Sequence, residues 1–223
     1  LTTATGHRMQ GWSQIGANGS VDTNTPVGDI VVPVGTLKAP IATTGVSLDL
    51  NLNAAATAGP PPDIFSTSME VFDSLGKSHV LQFTFTKTAT PNEWTYSVVV
   101  PDADLSAPFT PITGTLQFDS NGKLTSPSSI DGPQNIAIAG LVNGASDMSV
   151  DWSFWNSNRA RITQFTQPSA VSALEQNGST TASLIRVGIA DAGRILAQYS
   201  NGQQVVVGQL AMATIRNPES LIA

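Results

Sequence analysis

The chain has 223 residues, enough to bury one large core or two modest ones, with 40% hydrophobic residues, 12% charged residues and no cysteine. Ordinary soluble domains carry about 25% charged residues, and here Thr, Ser, Asn, Gln and Gly fill the gap. The net charge of −6 argues against a nucleic-acid partner, the missing thiols exclude disulfides and thiolate metal sites, and no apolar run approaches a membrane-spanning length.

The opening LTTATGHRMQ (1–10) has no basic segment leading into an apolar one, so no cleavable signal peptide is expected. The chain starts on Leu1 and stops at NPESLIA, and reads as an internal piece of something longer. The small-residue, Pro-rich AAATAGPPPD (Ala54–Asp63) looks like a crossing between domains. Strand patterns follow it. VLQFTFT (Val80–Thr86) alternates Leu81, Phe83 and Phe85 with Gln82 and Thr84, and WTYSVVV (Trp94–Val100) is rich in β-branched and aromatic residues. ITGTLQFD, IAIAGL, SVDWSFW, SLIRVGIA, RILAQYS and QVVVGQLAMATI are further candidates. Turns are marked by Asn18-Gly19, Asn121-Gly122, Asn143-Gly144, Asn177-Gly178 and Asn201-Gly202, because Asn-Gly favours the positive φ of a tight hairpin. The best helical stretch is PSAVSALEQNG (Pro168–Gly178), two turns with Gly178 past the end.

The expected fold class is all-β, with two β-rich domains, the second barrel- or sandwich-like and inserted into the first. A second break at NSNRARITQFTQPS (Asn156–Ser169), with its close basic pair Arg159 and Arg161, sets the far boundary. Residues 56–158 hold 3 Lys/Arg against 10 Asp/Glu, a net −7, whereas 1–55 and 159–223 hold 7 against 6, a net +1. The acidic block 56–158 is therefore read as the inserted domain and the flanks as one discontinuous domain.

The repeated stretches FDSLGKS (Phe72–Ser78) and FDSNGKL (Phe118–Leu124) invite three chemical readings. A calcium loop counted from Asp119 would place Lys123 and Leu124 at its fifth and sixth positions and Ile130 at its twelfth, leaving no closing carboxylate. A phosphate loop ending in Gly76-Lys77-Ser78 would need Gly where Val71 stands, and a helix instead of a strand after it. The third reading is a turn closed by the Asp side chain, with Gly at positive φ and Lys opening the next strand on its wet side. His7 and His79 have no neighbours at ligand spacing and are read as exposed or sheet-face residues. Asp102 and Asp104 are read as a solvated loop pair, and no Gly-x-Ser-x-Gly elbow or Ser–His pairing occurs. Trp152 and Phe154 share one strand face and are read as core; a sugar-stacking role for them or Trp94 is the alternative. No catalytic, metal or cofactor residue is assigned, and no enzyme activity is expected.

Several stretches together resemble the bacterial flagellar hook protein family. They are Phe65–His79, the segment Lys87-Thr88 to Asn92-Glu93-Trp94, Leu116–Leu124, Gly193–Gly202, Gly208–Ala213 and Asn217–Leu221, with a looser match at Met9–Trp12 and Leu48–Leu52. Gln176–Ser183 departs from the pattern, since an acidic-Gly-aromatic turn is commoner there. The resemblance implies a structural subunit of a flexible extracellular joint, exported without a cleavable signal peptide. Its partners would be further copies of itself in a helical tube, together with rod, hook-cap and hook–filament junction proteins, with neither nucleic acid nor membrane among them. Members carry terminal helices that drive polymerisation; a piece without them is expected to stay monomeric. A rod or hook-associated axial protein is the nearest alternative, a sugar-binding β-module the more distant one. A surface of Thr, Ser, Asn and Gln also suits a bending tube, because weak, water-bridged contacts exchange readily.

Overall fold

A computed structural model of the chain describes residues 1–2, 6–16, 20–32, 35 and 37–212. The Asn18-Gly19 pair, the end of QVVVGQLAMATI and the Asn217–Leu221 segment lie outside these residues. No α-helix occurs among the described residues. The strands are β1 (Gln10–Trp12), β2 (Gly28–Asp29), β3 (Leu37–Lys38), β4 (Gly45–Asn53), β5 (Ile64–Phe72), β6 (Ser78–Lys87), β7 (Glu93–Val99), β8 (Ile112–Phe118) and β9 (Leu124–Ser126). They continue as β10 (Gln134–Ile138), β11 (Met148–Ser153), β12 (Trp155–Asn156), β13 (Arg159–Ala160), β14 (Ile162–Phe165), β15 (Ala170–Gln176), β16 (Ala182–Ile189), β17 (Arg194–Tyr199) and β18 (Gln204–Leu210). Two 3-10 turns cover Asp102–Asp104 and Asp191–Gly193.

Two compact units result, Ala39–Thr181 and the paired segments Leu1–Lys38 and Ala182–Ala223. In the larger unit, β5 to β9 form an antiparallel meander. The second sheet runs β10-β11-β4-β14, with β11 and β14 parallel to successive halves of β4 and β15 antiparallel along its other edge. Both sheets alternate apolar and polar residues and turn their apolar faces into one core. Leu81, Phe83 and Phe85 of β6 are fully buried, as are Trp94 of β7 and Trp152 of β11. The Trp152 ring meets Phe83 edge-on at 4.9 Å and Tyr96 at 5.0 Å between centroids. At their edges the sheets are stitched by backbone bonds, from Gln164 N–H to the Gly122 carbonyl (2.9 Å) and from Thr43 N–H to the Phe72 carbonyl (2.8 Å).

Composition breaks fall at 55/56 and 158/159, whereas the compact units divide at 38/39 and 181/182. The difference has a packing reason. Leu48, Leu50 and Leu52 of β4 and Ile162 of β14 share the core of β5 to β11, so the Pro-rich 54–63 stretch is a loop inside one unit. Ala39–Thr181 holds 5 Lys/Arg against 12 Asp/Glu, a net −7, and the remainder holds 5 against 4, a net +1.

Pro168–Gly178 is not helical. Its central residues form β15, which pairs with Val46 to Asn51 of β4 through one bulge. An open β4 edge offers backbone partners that a short isolated helix lacks, and the tertiary gain overrides local propensity. Gly122, Gly144 and Gly202 take the positive φ expected of their Asn-Gly pairs. Gly178 does not. An added Cβ there would collide with Thr43 Oγ1, so close packing selects the glycine.

The other unit is a single antiparallel sheet in the order β2-β1-β18-β17-β16-β3. Its buried apolar residues among those described are Ile30, Ala182, Ile195 and Ala197.

Candidate functional site

The repeated FDS-Gly-Lys stretches build the same turn twice. Asp73 Oδ1 accepts the N–H groups of Leu75 (2.8 Å) and Lys77 (3.0 Å), and Asp119 Oδ1 accepts those of Asn121 and Lys123 (both 2.9 Å). In each, Gly N–H donates to the Asp carbonyl and Asp N–H to the Lys carbonyl. Gly76 and Gly122 sit at φ 86° and 74°, and both lysines point outward. The turn reading therefore holds for both copies.

Only the first copy carries a buried polar cluster. His79 alternates in phase with Leu81, Phe83 and Phe85 and is 1% exposed, so of the two placements expected for it, exposed or on a sheet face, it takes the sheet face, turned inward. Its Nε2 lies 2.9 Å from Asp73 Oδ2, to which Asn143 Nδ2 also donates (2.6 Å). On the opposite side Nδ1 lies 3.2 Å from Asp104 Oδ2 without hydrogen-bond alignment, while Lys77 Nζ donates to Asp104 Oδ1 at 2.6 Å. Asp104 is thus no solvated loop residue but half of a clamp on the imidazole. Burial works to raise the Asp73 pKa, but donors from His79, Asn143, Lys77 and Leu75 outweigh it and bring it to about 2. The bond from Lys77, with His79 behind it, likewise holds Asp104 below the usual carboxylate range.

A second cluster ties β4 to its neighbours. Arg159 and Arg161 donate to the two oxygens of Asp49 at 2.7 and 2.8 Å, and Arg161 lies 3.4 Å from Glu175. Burial of Asp49 raises its pKa, and the two guanidinium groups more than reverse this. A third fastening is Lys87, 8% exposed, whose Nζ donates to the carbonyls of Thr88, Thr90 and Glu93 within 3.0 Å. Burial lowers its pKa, and Glu93 opposes the shift.

These clusters join loops and strands. The Asp73 carboxylate accepts from four donors, and the His79 ring lies between the Asp73 and Asp104 carboxylates. Among the described residues no group of His, Cys, Asp and Glu is arranged to hold a metal ion. His7 is exposed. Trp94, Trp152 and Phe154 are at most 2% exposed, so none offers a face for a sugar to stack on, and the core reading of Trp152 and Phe154 holds. Asn143 and the Trp94–Gln164–Asn92 relay were not singled out from sequence. Gln164 accepts from Trp94 Nε1 at 3.1 Å and donates to Asn92 Oδ1 at 3.0 Å, from a strand 70 residues away. Its one sequence signal is a polar residue alternating with Ile162.

Two compact β units, the larger one fastened by its polar clusters, make this an all-β protein. Residues 51–179 match the family model described as the flagellar basal body protein FlaE D2 domain. The chain is 32% identical over 99% of its length to the flagellar hook protein FlgE of Salmonella typhimurium, and 30% identical over 99% to that of Escherichia coli K12. It spans 54% of each of these relatives. The crystal structure of Helicobacter pylori flagellar hook protein FlgE2 covers 100% of this chain and 80% of its own at a TM-score of 0.66 and 12% identity, a likeness of fold. The chain belongs to the flagellar hook protein family.

Proposed function

We propose that the chain serves as a structural subunit of the bacterial flagellar hook, the flexible joint passing motor torque to the filament. The observation that carries this is whole-length similarity to hook proteins, 32% identity over 99% of the chain. The braced architecture supports it, since a joint under load needs units that keep their shape while their contacts change. On this reading the chain works outside the cell, exported without a cleavable signal peptide. It assembles with further copies into a tube, next to rod, hook-cap and hook–filament junction proteins. The acidic unit Ala39–Thr181 serves as a domain inserted into the other unit, and catalysis plays no part.

The test is complementation. A hook-deficient bacterium would express these 223 residues between the flanking segments of its own hook protein, with hooks viewed by electron microscopy and swimming tracked by light microscopy. Hooks of normal length with restored swimming are expected. Export without assembly would assign the chain to another axial part, and loss of export would sink the reading.

A further inference from the structure

Of the Asn-Gly pairs that punctuate the chain, those at Asn121, Asn143, Asn177 and Asn201 lie among the described residues. Beyond turning the chain, such a pair carries a reaction of its own. The glycine amide nitrogen can attack the Asn side-chain carbon, because no Cβ stands beside it. Folding controls whether this happens. The backbone must be free to bring the two atoms together, the side-chain oxygen needs a donor as charge builds on it, and the departing nitrogen must not be held.

Three of the pairs are restrained. Asn143 Nδ2 donates to Asp73 Oδ2 at 2.6 Å, which ties the leaving nitrogen to a carboxylate. Asn177 is tied at both ends, since Nδ2 donates to Thr44 Oγ1 (2.9 Å) and Oδ1 accepts the N–H groups of Thr44 and Gly45 (3.0 Å each). At Asn121 the backbone is pinned instead. The Gly122 carbonyl accepts from Gln164 N–H at 2.9 Å, and the N–H two residues beyond Asn121, that of Lys123, is taken by Asp119 Oδ1.

Asn201 escapes these restraints. Its turn has the same backbone bonds as the two Asp-closed turns, with Tyr199 N–H donating to the Gln203 carbonyl (2.9 Å) and Gly202 N–H to the Tyr199 carbonyl (3.0 Å). Tyr199 has no carboxylate to claim the turn's amides, so Gln203 N–H donates to Asn201 Oδ1 at 3.2 Å. That donor sits where negative charge develops when the side-chain carbon is attacked. Asn201 Nδ2 is buried without a hydrogen-bond partner among the described residues, a cost that its departure relieves. The space beside Gly202 is open, with nothing within 4 Å of where a Cβ would stand.

We propose that Asn201-Gly202 is a spontaneous modification site, at which water converts the asparagine to aspartate or its β-linked isomer. The Gly202 nitrogen gives up its proton and bonds to Asn201 Cγ; the Cγ–Nδ2 bond breaks, and Nδ2 takes up a proton and leaves as ammonia. The cyclic imide then opens when water adds to one of its two carbonyls. Opening at Cγ restores the ordinary backbone, and opening at the backbone carbonyl routes the chain through the side chain. Either product adds a carboxylate to the smaller unit, which then holds 5 Lys/Arg against 5 acidic groups in place of 4. It does so in a turn that Lys38 reaches, donating to Gln203 Oε1 at 2.7 Å. The site is independent of the hook-subunit reading.

Lys and Arg residues stand between the four pairs, so trypsin places each in a peptide of its own. The folded chain would be aged in mildly alkaline buffer and digested, and the mass change from amide to acid followed by mass spectrometry, with a parallel sample aged in urea. Position 201 is expected to convert at least about tenfold faster than 143 and 177, whose tethers must first break, and ahead of 121. In urea, where the tethers are gone, the four rates are expected to converge. Gly202→Ala, checked for folding by circular dichroism, should slow conversion at 201 alone, because its methyl group crowds the attacking nitrogen. Another pair converting first in the folded chain overturns the proposal. So does a lead at 201 that persists undiminished in urea, since neighbouring sequence and not the turn would then select the site. Unchanged conversion in Gly202→Ala overturns the imide route.

Discussion

The two units handle apolar surface differently. Ala39–Thr181 gathers 26 buried hydrophobic residues into one cluster between two sheets. The other unit buries four among its described residues on a single sheet, and leaves Val31, Leu37, Ile185 and Ile189 between 59% and 72% exposed. Burying one large aliphatic or aromatic side chain contributes roughly 1.5–3 kcal/mol. The larger unit therefore has ample material for independent stability, whereas the smaller depends on strand pairing more than on a core. Acidity follows the same division, since a well-filled core tolerates a net charge of −7 that a thin one would not.

The largest expected effect attacks the richer core. Trp152→Ala removes the ring that contacts Phe83, Phe85, Tyr96 and Phe154. It should cost about 3–5 kcal/mol. Hydrogen exchange read by mass spectrometry should show protection lost in β6, β7 and β11 and unchanged in β17; equal loss in β17 would mean the units unfold as one. Next comes Asp73. Its folded-state pKa is lowered to about 2 from 3.8, so its contribution is fully present above pH 4 and fades as pH falls towards 2. The shift corresponds to about 2 kcal/mol. Urea unfolding of the parent and Asp73→Asn should converge by about that amount across this window, and a constant gap would refute the assignment.

How much of this was legible in the sequence depends on where each partner lies. β6 and β7 could be read because Leu81, Phe83 and Phe85 alternate with polar residues, a pattern one pleated strand creates alone. The two Asp-closed turns were equally local, their bonds spanning two to four residues. His79 was legible only as exposed or on a sheet face; the inward phase of β6, which it continues, selects the second. Asn143, 70 residues from Asp73, had no local signal, nor did the β4 edge that draws Ala170–Gln176 into a strand. The unit boundaries escaped because a Pro-rich loop looks the same inside a unit as between two; only the core shared by Leu48 and Leu81 tells them apart.

Two Asn-Gly turns extend the comparison to backbone strain. Gly202, in the thin unit, has φ 82° and open space where a Cβ would go. Gly202→Ala should therefore cost only the left-handed penalty, about 1 kcal/mol. Gly122, in the rich unit, has φ 74°, and its Cβ would run into the Gln164 carbonyl, the acceptor side of a strand that stitches the two sheets. Gly122→Ala should cost roughly 2–3 kcal/mol, the same penalty plus a displaced backbone contact. Thermal melts of the two variants side by side would measure the difference, and equal losses would show that the sheet edge yields freely.

The smallest effect separates the two arginines on Asp49. Arg159 is 64% exposed at its side chain and Arg161 is 12% exposed. An exposed ion pair contributes about 0–1 kcal/mol and weakens in salt, so Arg159→Ala should fall within that range and vanish near 1 M salt. Arg161→Ala removes the sheltered partner, leaving Asp49 and Glu175 facing each other without it, and should cost more at every salt concentration. Unfolding midpoints measured against ionic strength decide the matter. If both variants lose the same amount with the same salt slope, the second cluster is surface decoration and the rigidity of this unit comes from its core, the His79 cluster and the Lys87 fastening.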